Sequence, residues 1–449
     1  MTLPAAFTER MRRLLGEVYD AFAAAEAQPP VRALRLNRLK MSPETFAASG
    51  LADRPLPQCE GAYYCDASLR LGAHPYHHAG AIYGQDPGAI CTAAAVSVQA
   101  GWRILDVCAA PGGKATQLAA ALGGTGLLIA NEPNAARCRT LAQNIERMGV
   151  RNACVTSADA AALAACFPAC FDLTVVDAPC SGEGMFRKYP EATGEWSEAA
   201  VQSCAARQRE ILVAACATVR GGGYLLYSTC TFSPEENEEV VRDFLLAHPD
   251  FSLVPVARAV ASVTADGLYG MTDCRRFYPH LAPGEGQFIA LMRRSGDAPR
   301  EEQVAFCDAT EPLPRAAAEA ARAFFCEATT LDPTVLRLWR GSIVMPPPCP
   351  VPPRITCAAG VAAGELRGRL FFPHHALFSA FGRDFRRRIE LTREDPRTSA
   401  YLRGEVIAAP GLPNGWAAVL IDGAPVGGAK VVDGAAKNHY PKGLRLLGQ

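Results

Sequence analysis

Leu105-Asp-Val-Cys-Ala-Ala-Pro-Gly-Gly-Lys114 is the stretch that decides the fold of this 449-residue chain. Its apolar start predicts a buried strand, its two glycines predict a turn, and a helical pattern begins at Lys114. Glycines let the backbone approach a ligand closely, and a helix N-terminus offers unpaired amide donors. A strand, a glycine turn and a helix in this order are typical of a nucleotide-binding βα unit. A plain βα connection is the alternative.

Strand-like and helical patterns alternate around this unit between about residues 100 and 295. The predicted strands are residues 103–107, 127–130, 153–156, 171–177 and 224–228. The predicted helices include residues 114–122, 134–148 and 201–219. Short buried strands that alternate with helices indicate an α/β fold with an open parallel sheet, as in Rossmann-like proteins. Residues 251–254 and 287–292 are candidates for an antiparallel edge.

The flanking regions predict smaller modules. A helix over residues 7–27 and a strand near Arg32 indicate a small N-terminal α+β segment. A proline-dense stretch at 345–353 precedes short strands with Gly-rich turns, which indicate a small β-barrel. We therefore expect an N-terminal segment (1–70), a catalytic domain (71–296), an intermediate module with a linker (297–365) and a C-terminal barrel (366–449).

The residues around the glycine turn favour one class of cofactor. Glu132 follows the second predicted strand, where an acidic group binds ribose hydroxyls. The sequence has neither the third glycine of a dinucleotide fingerprint nor the Gly-Lys-Ser/Thr end of a phosphate-binding loop. A nucleoside without a pyrophosphate fits best, and S-adenosylmethionine is the natural candidate.

Two cysteines follow neighbouring predicted strands. Asp177-Ala-Pro-Cys180 ends the fourth strand, and Ser228-Thr-Cys230 ends the fifth. Both thiols should therefore meet at the carboxyl edge of the sheet, where open α/β proteins bind ligands. A thiolate that adds to C6 of cytosine makes C5 nucleophilic enough to accept a methyl group. The pair predicts methyl transfer to carbon, whereas a single cysteine would more simply be a buried apolar residue.

Composition narrows the remaining choices. The net charge is zero, but residues 1–50 and 361–449 together carry +7 and the middle carries −7, so charge leaves the partner open. The 17 cysteines include no Cys-x-x-Cys pair, which argues against a zinc site or a disulfide framework. No signal peptide or long apolar span is present. We expect a cytoplasmic monomer that binds neither a metal nor a membrane.

Taken together, these motifs resemble the NOP2/Sun family of RNA cytosine-C5 methyltransferases. Further stretches are similar to the family's N-terminal and catalytic regions, among them Arg35-Leu-Asn-Arg-Leu-Lys-Met-Ser-Pro-Glu44, Tyr83-Gly-Gln-Asp-Pro87 and Phe186-Arg-Lys188. His374-His-Ala-Leu377 and the stretch from Lys437 to Arg445 resemble a PUA-like extension. That extension is typical of the bacterial, RsmF-like branch, which acts on small-subunit ribosomal RNA. Gly88 stands where the family often has serine, which leaves a hydroxyl contact there in doubt.

The resemblance implies a role for each matching residue. Cys230 becomes the nucleophile, Cys180 assists product release, Asp177 binds the cytosine near N3 and N4, and Lys114 lies between the cofactor and the base. The implied cofactor contacts are Cys108, Ala109, Ala110, Pro111, Gly112, Gly113, Lys114, Glu132, Arg137, Asp159 and Asp177. Asp159 would accept a hydrogen bond from the adenine amino group.

The predicted function is therefore S-adenosylmethionine-dependent methylation of cytosine C5 in 16S ribosomal RNA, with base flipping. The alternatives are a transfer RNA substrate, a ribosome-assembly factor without catalysis, and a DNA cytosine methyltransferase. RNA contacts are predicted in two places. One is the segment 437–445, with stacking on Tyr440, and the other is the cluster Arg383, Arg386, Arg387 and Arg388.

Overall fold

The computed structural model describes residues 3–296 and 306–446, and its centre is a ten-stranded sheet. Its strands in chain order are β1 (Arg103–Asp106), β2 (Leu127–Asn131), β3 (Ala153–Thr156), β4 (Phe171–Asp177), β5 (Val219–Thr229), β6 (Phe251–Leu253), β7 (Ala265–Asp266), β8 (Arg275–Phe277), β9 (Gln287–Arg294) and β10 (Thr356–Ala359). Their spatial order is β7-β8-β9-β5-β4-β1-β2-β3-β10, and β6 pairs with β9. The predicted polar boundary after residue 296 continues into 297–305, which lie outside the described residues.

The parallel sheet predicted from the sequence is confirmed. β1 to β5 all run parallel, and β9 adds an antiparallel edge beside β5. Ile104 and Leu105 are neighbours in β1, and both are fully buried, so the two faces of the sheet are covered. This is why the strands read as continuous apolar runs and not as alternating ones.

Helices cover the central sheet and connect its strands. They are Pro87–Ala94, Gly113–Ala121, Ala135–Arg147, Ala160–Cys166, Ala192–Glu195, Glu198–Cys216, Glu238–Ala247 and Arg258–Ala261, with a 3₁₀ turn at Glu183–Met185. Several begin at a side chain that caps them. The Asn134 side chain accepts hydrogen bonds from the amides of Ala136 and Arg137, and Ser197 caps the longest helix through Ala200.

β10 was not expected in this sheet. The sequence places residues 356–359 in an intermediate module, but here they pair antiparallel with β3 and extend the central sheet. Residues 306–355 lie outside the central sheet, and β10 belongs to it. The hairpin formed by Val361–Arg367 and Leu370–Pro373 then lies outside it again. The boundaries at 70, 296 and 365 stay predictions. The strand Val361–Arg367 spans residue 365, and the strand Ile82–Gln85 pairs with Arg32–Leu36 from the other side of residue 70.

The N-terminal region forms two helices and a three-stranded antiparallel sheet. The predicted single helix is divided into Ala5–Leu15 and Tyr19–Glu26 by a 3₁₀ turn, because Gly16 adopts a positive φ of 53°. The strands Ala62–Cys65, Arg32–Leu36 and Ile82–Gln85 form the sheet in that order. Short helices lie at Pro43–Ala47, Leu71–Ala73 and Pro75–His78.

Two further sheets follow the central one. The first has four strands, Arg337–Trp339, Ser342–Met345, Val361–Arg367 and Leu370–Pro373, together with the helix Arg315–Ala328 and the turn Pro333–Val335. The second has five strands, Arg388–Leu391, Gly415–Ile421, Ala424–Val432, Ala435–Asn438 and Ile407–Ala408. The associated helices are His375–Phe381, Gly382–Asp384, Pro396–Arg403 and Lys442–Leu444.

The N-terminal sheet and the C-terminal sheet share one hydrophobic core. Leu34 and Ile82 from the first sheet belong to the same buried cluster as Val419 and Val431 from the second. We call this contact the module junction. It joins regions more than 300 residues apart in the sequence, so neither sheet buries its apolar face alone.

Polar groups at the module junction are buried with it. The Lys40 ammonium donates to the carbonyls of Ser379 and Pro425, and burial lowers its pKa well below the ordinary value. Tyr440 is only 2% exposed, and its hydroxyl lies 2.9 Å from Nδ1 of His78. The prediction that Tyr440 stacks on RNA is therefore wrong, because its ring is part of the junction.

The predicted arginine cluster is also partly engaged inside the protein. Arg383 donates to the carbonyls of Lys40 and Gly423, and Arg387 pairs with Glu327.

Among the residues that the structure describes, no helix is long and apolar enough to cross a membrane.

Candidate active site

A cavity of about 370 Å³ opens at the carboxyl edge of β1, β4 and β5. We call this region, with the loops that follow those strands, the catalytic edge. Eight of the predicted site residues line the cavity, namely Cys108, Ala109, Ala110, Pro111, Gly113, Lys114, Asp177 and Cys230. The strand ends bring them together from three separate parts of the sequence, as the motif order predicts.

The glycine turn has the geometry that its sequence predicts. Gly112 has a φ of 115°, a region that side chains rarely adopt, and it precedes the helix Gly113–Ala121. A Cβ atom at Gly112 would approach Leu141 and Asn144 to 3.3–3.4 Å. The turn therefore needs glycine for its backbone, and it presents the amides of the helix start to the cavity.

Asp106, at the end of β1, is a buried carboxylate without a partner. It is fully buried and lines the cavity, and neither carboxylate oxygen has a hydrogen-bond partner. Burial, and then the nearby Asp177 carboxylate, raise its pKa to about 7. Such an orphan acceptor suits a cationic ligand, and sequence reasoning did not assign it to the site. Its place at the end of the first predicted strand, two residues before Cys108, was the available signal.

The other predicted cofactor residues lie beside the turn and outside the cavity lining. Glu132 is 2% exposed, accepts from the amide of Asn134, and lies 3.3 Å from the Arg137 guanidinium. Arg137 also donates to the carbonyl of Ala110 at 3.0 Å, so it braces the turn. Asp159 is exposed, and one of its oxygens caps the helix Ala160–Cys166 through the amide of Ala162. Their cofactor contacts stay predictions.

The two cysteines meet as the sequence predicts. Their Sγ atoms lie 3.1 Å apart, and the Cys230 amide donates to the Cys180 sulfur at 3.3 Å. The contact with Cys230 and burial raise the pKa of the Cys180 thiol well above its usual range. Cys230 lines the cavity, whereas Cys180 is not among its lining residues. The two thiols are therefore chemically distinct, although both are free.

Lys114 and Asp177 form an ion pair next to the thiols. Lys114 Nζ lies 2.7 Å from one oxygen of Asp177, and Ser228 Oγ donates to the other oxygen at 2.7 Å. Burial alone would lower the pKa of Lys114, but Asp177, with Cys230 and Asp106 nearby, raises it above the ordinary value. The site thus keeps a fixed cation beside the Cys230 sulfur, and a carboxylate that is held by two donors.

Glu183 and Glu236 hold the two cysteine loops together. Glu183, from the loop after β4, accepts from Thr231 Oγ1, the Phe232 amide, Ser233 Oγ and the Trp196 indole. Glu236, from the loop after β5, accepts from the amide and hydroxyl of Ser181 and from the side chain of Gln208. Each carboxylate therefore fastens the opposite loop.

The stretch from Ser233 to Glu236 has the residue pattern of a helix start, but it does not begin the helix. Ser233 and Pro234 look like a helix start, with Glu235 and Glu236 placed to favour the helix dipole. The helix begins later and runs over Glu238–Ala247, while Ser233 and Glu236 turn inward to the loops. A capping pattern and a buried network use the same residue types, so the sequence does not separate them.

The N-terminal sheet supplies a wall of the cavity that the site prediction missed. Tyr83 and Gln85 line it, and Arg35 donates to Gln85 and to the carbonyl of Gly113 at 2.7 Å each. Lys188 also lines the cavity. It belongs to the stretch Phe186-Arg-Lys188, which resembles the family, but it was not predicted as a site residue. At Gly88, a Cβ atom would lie 2.6 Å from the carbonyl oxygen of Glu285, so this backbone leaves no room for a side chain.

Within residues 3–296 and 306–446, no group of three or more His, Cys, Asp or Glu side chains is placed to hold a metal ion. The chemistry of this site is that of thiols, a buried ion pair and an orphan carboxylate.

Three family models match the chain. They are described as 16S rRNA methyltransferase RsmB/F (residues 93–293), the N-terminal domain of 16S rRNA methyltransferase RsmF (3–87) and the methyltransferase RsmF PUA domain (388–446). The chain is 30% identical to ribosomal RNA small subunit methyltransferase F of Erwinia tasmaniensis, over 98% of this chain and 96% of the relative. The same protein of Cronobacter sakazakii is 32% identical with equal coverage.

Solved structures agree with the fold. A methyltransferase homologue from Pyrococcus horikoshii is 26% identical with a TM-score of 0.54, over 64% of this chain and 94% of that one. NSun6 from the same organism, solved with SFG, is 23% identical with a TM-score of 0.57, over 66% and 99%. The predicted Rossmann-like methyltransferase fold, the PUA-like extension and the family resemblance are confirmed.

Proposed function

The chain belongs to the RsmF family of 16S rRNA methyltransferases, and we propose that it methylates C5 of a cytosine in 16S ribosomal RNA through a covalent bond from Cys230 to C6. The observation that carries the proposal is the pair of thiols 3.1 Å apart, of which Cys230 lines the same cavity as the Lys114–Asp177 ion pair. Methylation of an exocyclic nitrogen would need no second thiol at this edge.

Cys230 is the nucleophile because it faces the cavity and lies beside the Lys114 ammonium. Its sulfur bonds to C6, and the electrons of the C5–C6 double bond move so that C5 becomes nucleophilic. After C5 has gained the methyl group, loss of the C5 proton and cleavage of the S–C6 bond restore the aromatic ring. Asp177 is placed to hold the N3 and N4 edge of the flipped base.

Cys180 is suited to act after the covalent bond has formed. The largest cause of its raised pKa is the contact with the Cys230 sulfur. Once Cys230 is bonded to C6, it no longer carries a proton or a charge, so this cause disappears. The pKa of Cys180 then falls toward its ordinary value, so its thiolate forms more readily and is suited to accept the C5 proton when the product is released. The contact between the two thiols therefore explains why Cys230 acts first, as the nucleophile, and Cys180 acts after it, in product release.

The residues of the cavity fit S-adenosylmethionine, which supplies an electrophilic methyl group when bound. The orphan carboxylate of Asp106 suits a positively charged ligand, and the turn from Cys108 to Gly113 lets backbone amides approach it. Glu132 directly follows β2, where ribose hydroxyls are bound in this fold class. Arg137 contacts both Glu132 and the carbonyl of Ala110, so it would hold the turn and the Glu132 carboxylate in fixed relative positions.

The test is a pair of cysteine variants assayed, beside the wild type, on 30S subunits, on 16S rRNA and on transfer RNA, with bisulfite mapping of each product. We expect Cys230→Ala to lose methylation by a factor of at least about 10³. Cys180→Ala should instead accumulate a protein–RNA adduct that survives denaturing electrophoresis. Cys326→Ala, an exposed thiol on the helix Arg315–Ala328, is the matched control. Normal turnover by Cys230→Ala would refute the assignment, and bisulfite signals in transfer RNA alone would favour that substrate.

A further inference from the structure

A strip of basic and aromatic side chains crosses from the four-stranded sheet to the C-terminal sheet. Trp416, Lys430 and Lys437 lie directly opposite one another on three neighbouring antiparallel strands, so their side chains share one face. Phe372, from the four-stranded sheet, contacts the Trp416 ring edge-on at 5.2 Å. Arg367 lies over Phe372 at 3.8 Å. We call these five residues the basic strip.

Further side chains extend the strip. The His439 ring lies 4.5 Å from Trp416 and 5.5 Å from Phe372. Burial, and then Lys430 and Arg367, lower the pKa of His439, which favours its neutral form. Arg369 is exposed in the turn after Arg367. The strip therefore presents cations around a neutral aromatic centre.

The residues of the basic strip differ in exposure, with exposed cations around more buried aromatic rings. Lys430, Lys437 and Arg367 are exposed, Phe372 is half-buried, and Trp416 is buried beneath it. Phe371, one residue before Phe372, points the other way and packs on the helix Arg315–Ala328 through Phe324. The alternation along this strand fixes Phe372 on the open face, where a flat group can lie against it.

The chemistry of the strip favours RNA over protein. Lysine is depleted at protein interfaces, whereas phosphate contacts are made by lysine and arginine. Rings next to cations are the arrangement on which unpaired bases stack while the backbone is held. The single carboxylate along Arg367's strand, Glu365, is an exposed partner of Arg367 and is easily displaced by a phosphate.

We propose that the basic strip binds an unpaired segment of ribosomal RNA, with its phosphates on Lys430, Lys437 and Arg367 and a base against Phe372. This inference rests on the proposed RNA substrate and adds a contact surface apart from the catalytic edge. Two of its five residues, Arg367 and Phe372, lie outside the matched PUA region at 388–446. It shares Lys437 with the RNA-binding segment predicted from sequence, but neither Tyr440 nor Arg383 belongs to it, since both are engaged inside the protein.

The experiment measures direct binding, which is independent of methyl transfer. A fluorescent unpaired 12-nucleotide RNA, naked 16S rRNA and 30S subunits are titrated with the full chain at several salt concentrations. We expect Lys430→Glu/Lys437→Glu to weaken binding of the two naked RNAs by about tenfold, and to lower the slope of log K against log salt by about two. Phe372→Leu should weaken binding of the 12-mer by roughly fivefold with an unchanged slope.

The control is Arg315→Glu/Arg322→Glu, which makes the same charge change on the helix behind the four-stranded sheet, where both arginines are exposed. It should bind both RNAs like the wild type. Equal weakening by the control, or wild-type binding by the strip variants, overturns the proposal. Weakening on 30S subunits alone assigns the strip to a ribosomal protein and also overturns it. A wild-type chain that binds through the strip but does not methylate leaves this inference standing and refutes the proposed function.

Discussion

At the catalytic edge the buried lysine and the loop glutamates have polar partners, with Asp106 as the exception, whereas at the module junction buried groups are kept neutral or satisfied by backbone carbonyls. Lys114 lies 2.7 Å from Asp177, and Glu183 accepts four hydrogen bonds. At the junction, Lys40 has carbonyl partners, and burial, with Arg147 nearby, lowers the pKa of His77 to about 3. The catalytic edge therefore keeps charged side chains that the proposed reaction uses. The module junction keeps its buried groups neutral or bonded to carbonyls, which allows close packing. The two regions should therefore respond differently to substitution and to pH.

The largest expected effect is on the network that closes the catalytic edge. Glu183→Ala leaves four donors without their acceptor, so we expect the free energy of unfolding to fall by about 3–5 kcal/mol. Urea denaturation at pH 7 measures it. Glu191→Ala, an exposed acid on the same loop, is the control and should change the value by less than about 0.5 kcal/mol. Equal midpoints for both variants would show that Glu183 does not hold the loops.

Asp106→Asn should separate stability from ligand binding. The folded pKa of Asp106 is about 7 and its unfolded value is near 3.9, so the buried charge costs stability above pH 7 and less as the pH falls. At pH 8 we expect the free energy of unfolding of Asp106→Asn to be roughly 2 kcal/mol higher than that of the wild type. Most of this difference should be absent at pH 5. Affinity for S-adenosylmethionine, measured by calorimetry, should fall at least about tenfold. Unchanged affinity would remove Asp106 from the site.

Acid should weaken the module junction. The pKa of His77 and of His375 is about 3 in the folded chain because both are buried, against about 6.5 when unfolded. Between pH 7 and pH 5 the unfolded chain binds these protons first, so the free energy of unfolding falls as the pH falls. We expect His77→Gln to reduce that fall by about 2 kcal/mol relative to the wild type. Parallel pH profiles for the two proteins would contradict it.

The smallest effect tests the adenine contact assigned to Asp159. Asp159→Ala removes a helix cap and should cost about 1 kcal/mol of stability. Asp159→Ser restores the cap without the carboxylate, so stability should recover while affinity for S-adenosylmethionine stays reduced about fivefold. If serine also restores the affinity, Asp159 is a structural cap alone.

The central sheet and the meeting of Cys180 with Cys230 could be predicted because they depend on local patterns. Buried apolar runs mark the parallel strands, and residues that end such strands meet at one edge. Glu183, Glu236 and Asp106 could not be assigned, because their roles depend on donors or on an empty space brought from other loops. The short strand β10 has no distinctive pattern, and it is fixed by its pairing with β3.

Tyr440 shows why composition alone misleads. Its neighbours Lys437 and Lys442 suggest an RNA loop, and Lys437 does belong to the basic strip. The ring itself packs against His78 and Tyr401, and its hydroxyl is held by His78. A tyrosine near cations is equally suited to stacking on a base and to sealing a core. The N-terminal partner decides between them, and it lies 362 residues away.

The module junction also sets an order of events during synthesis. Lys40 leaves the ribosome long before Pro425, the carbonyl partner that lies 385 residues later. The parallel strands can pair in the meantime, but Leu34 and Ile82 stay without their apolar cover until the last strands are made. The newborn enzyme therefore passes through a state with a finished catalytic sheet and an open N-terminal face, which a chaperone is suited to protect.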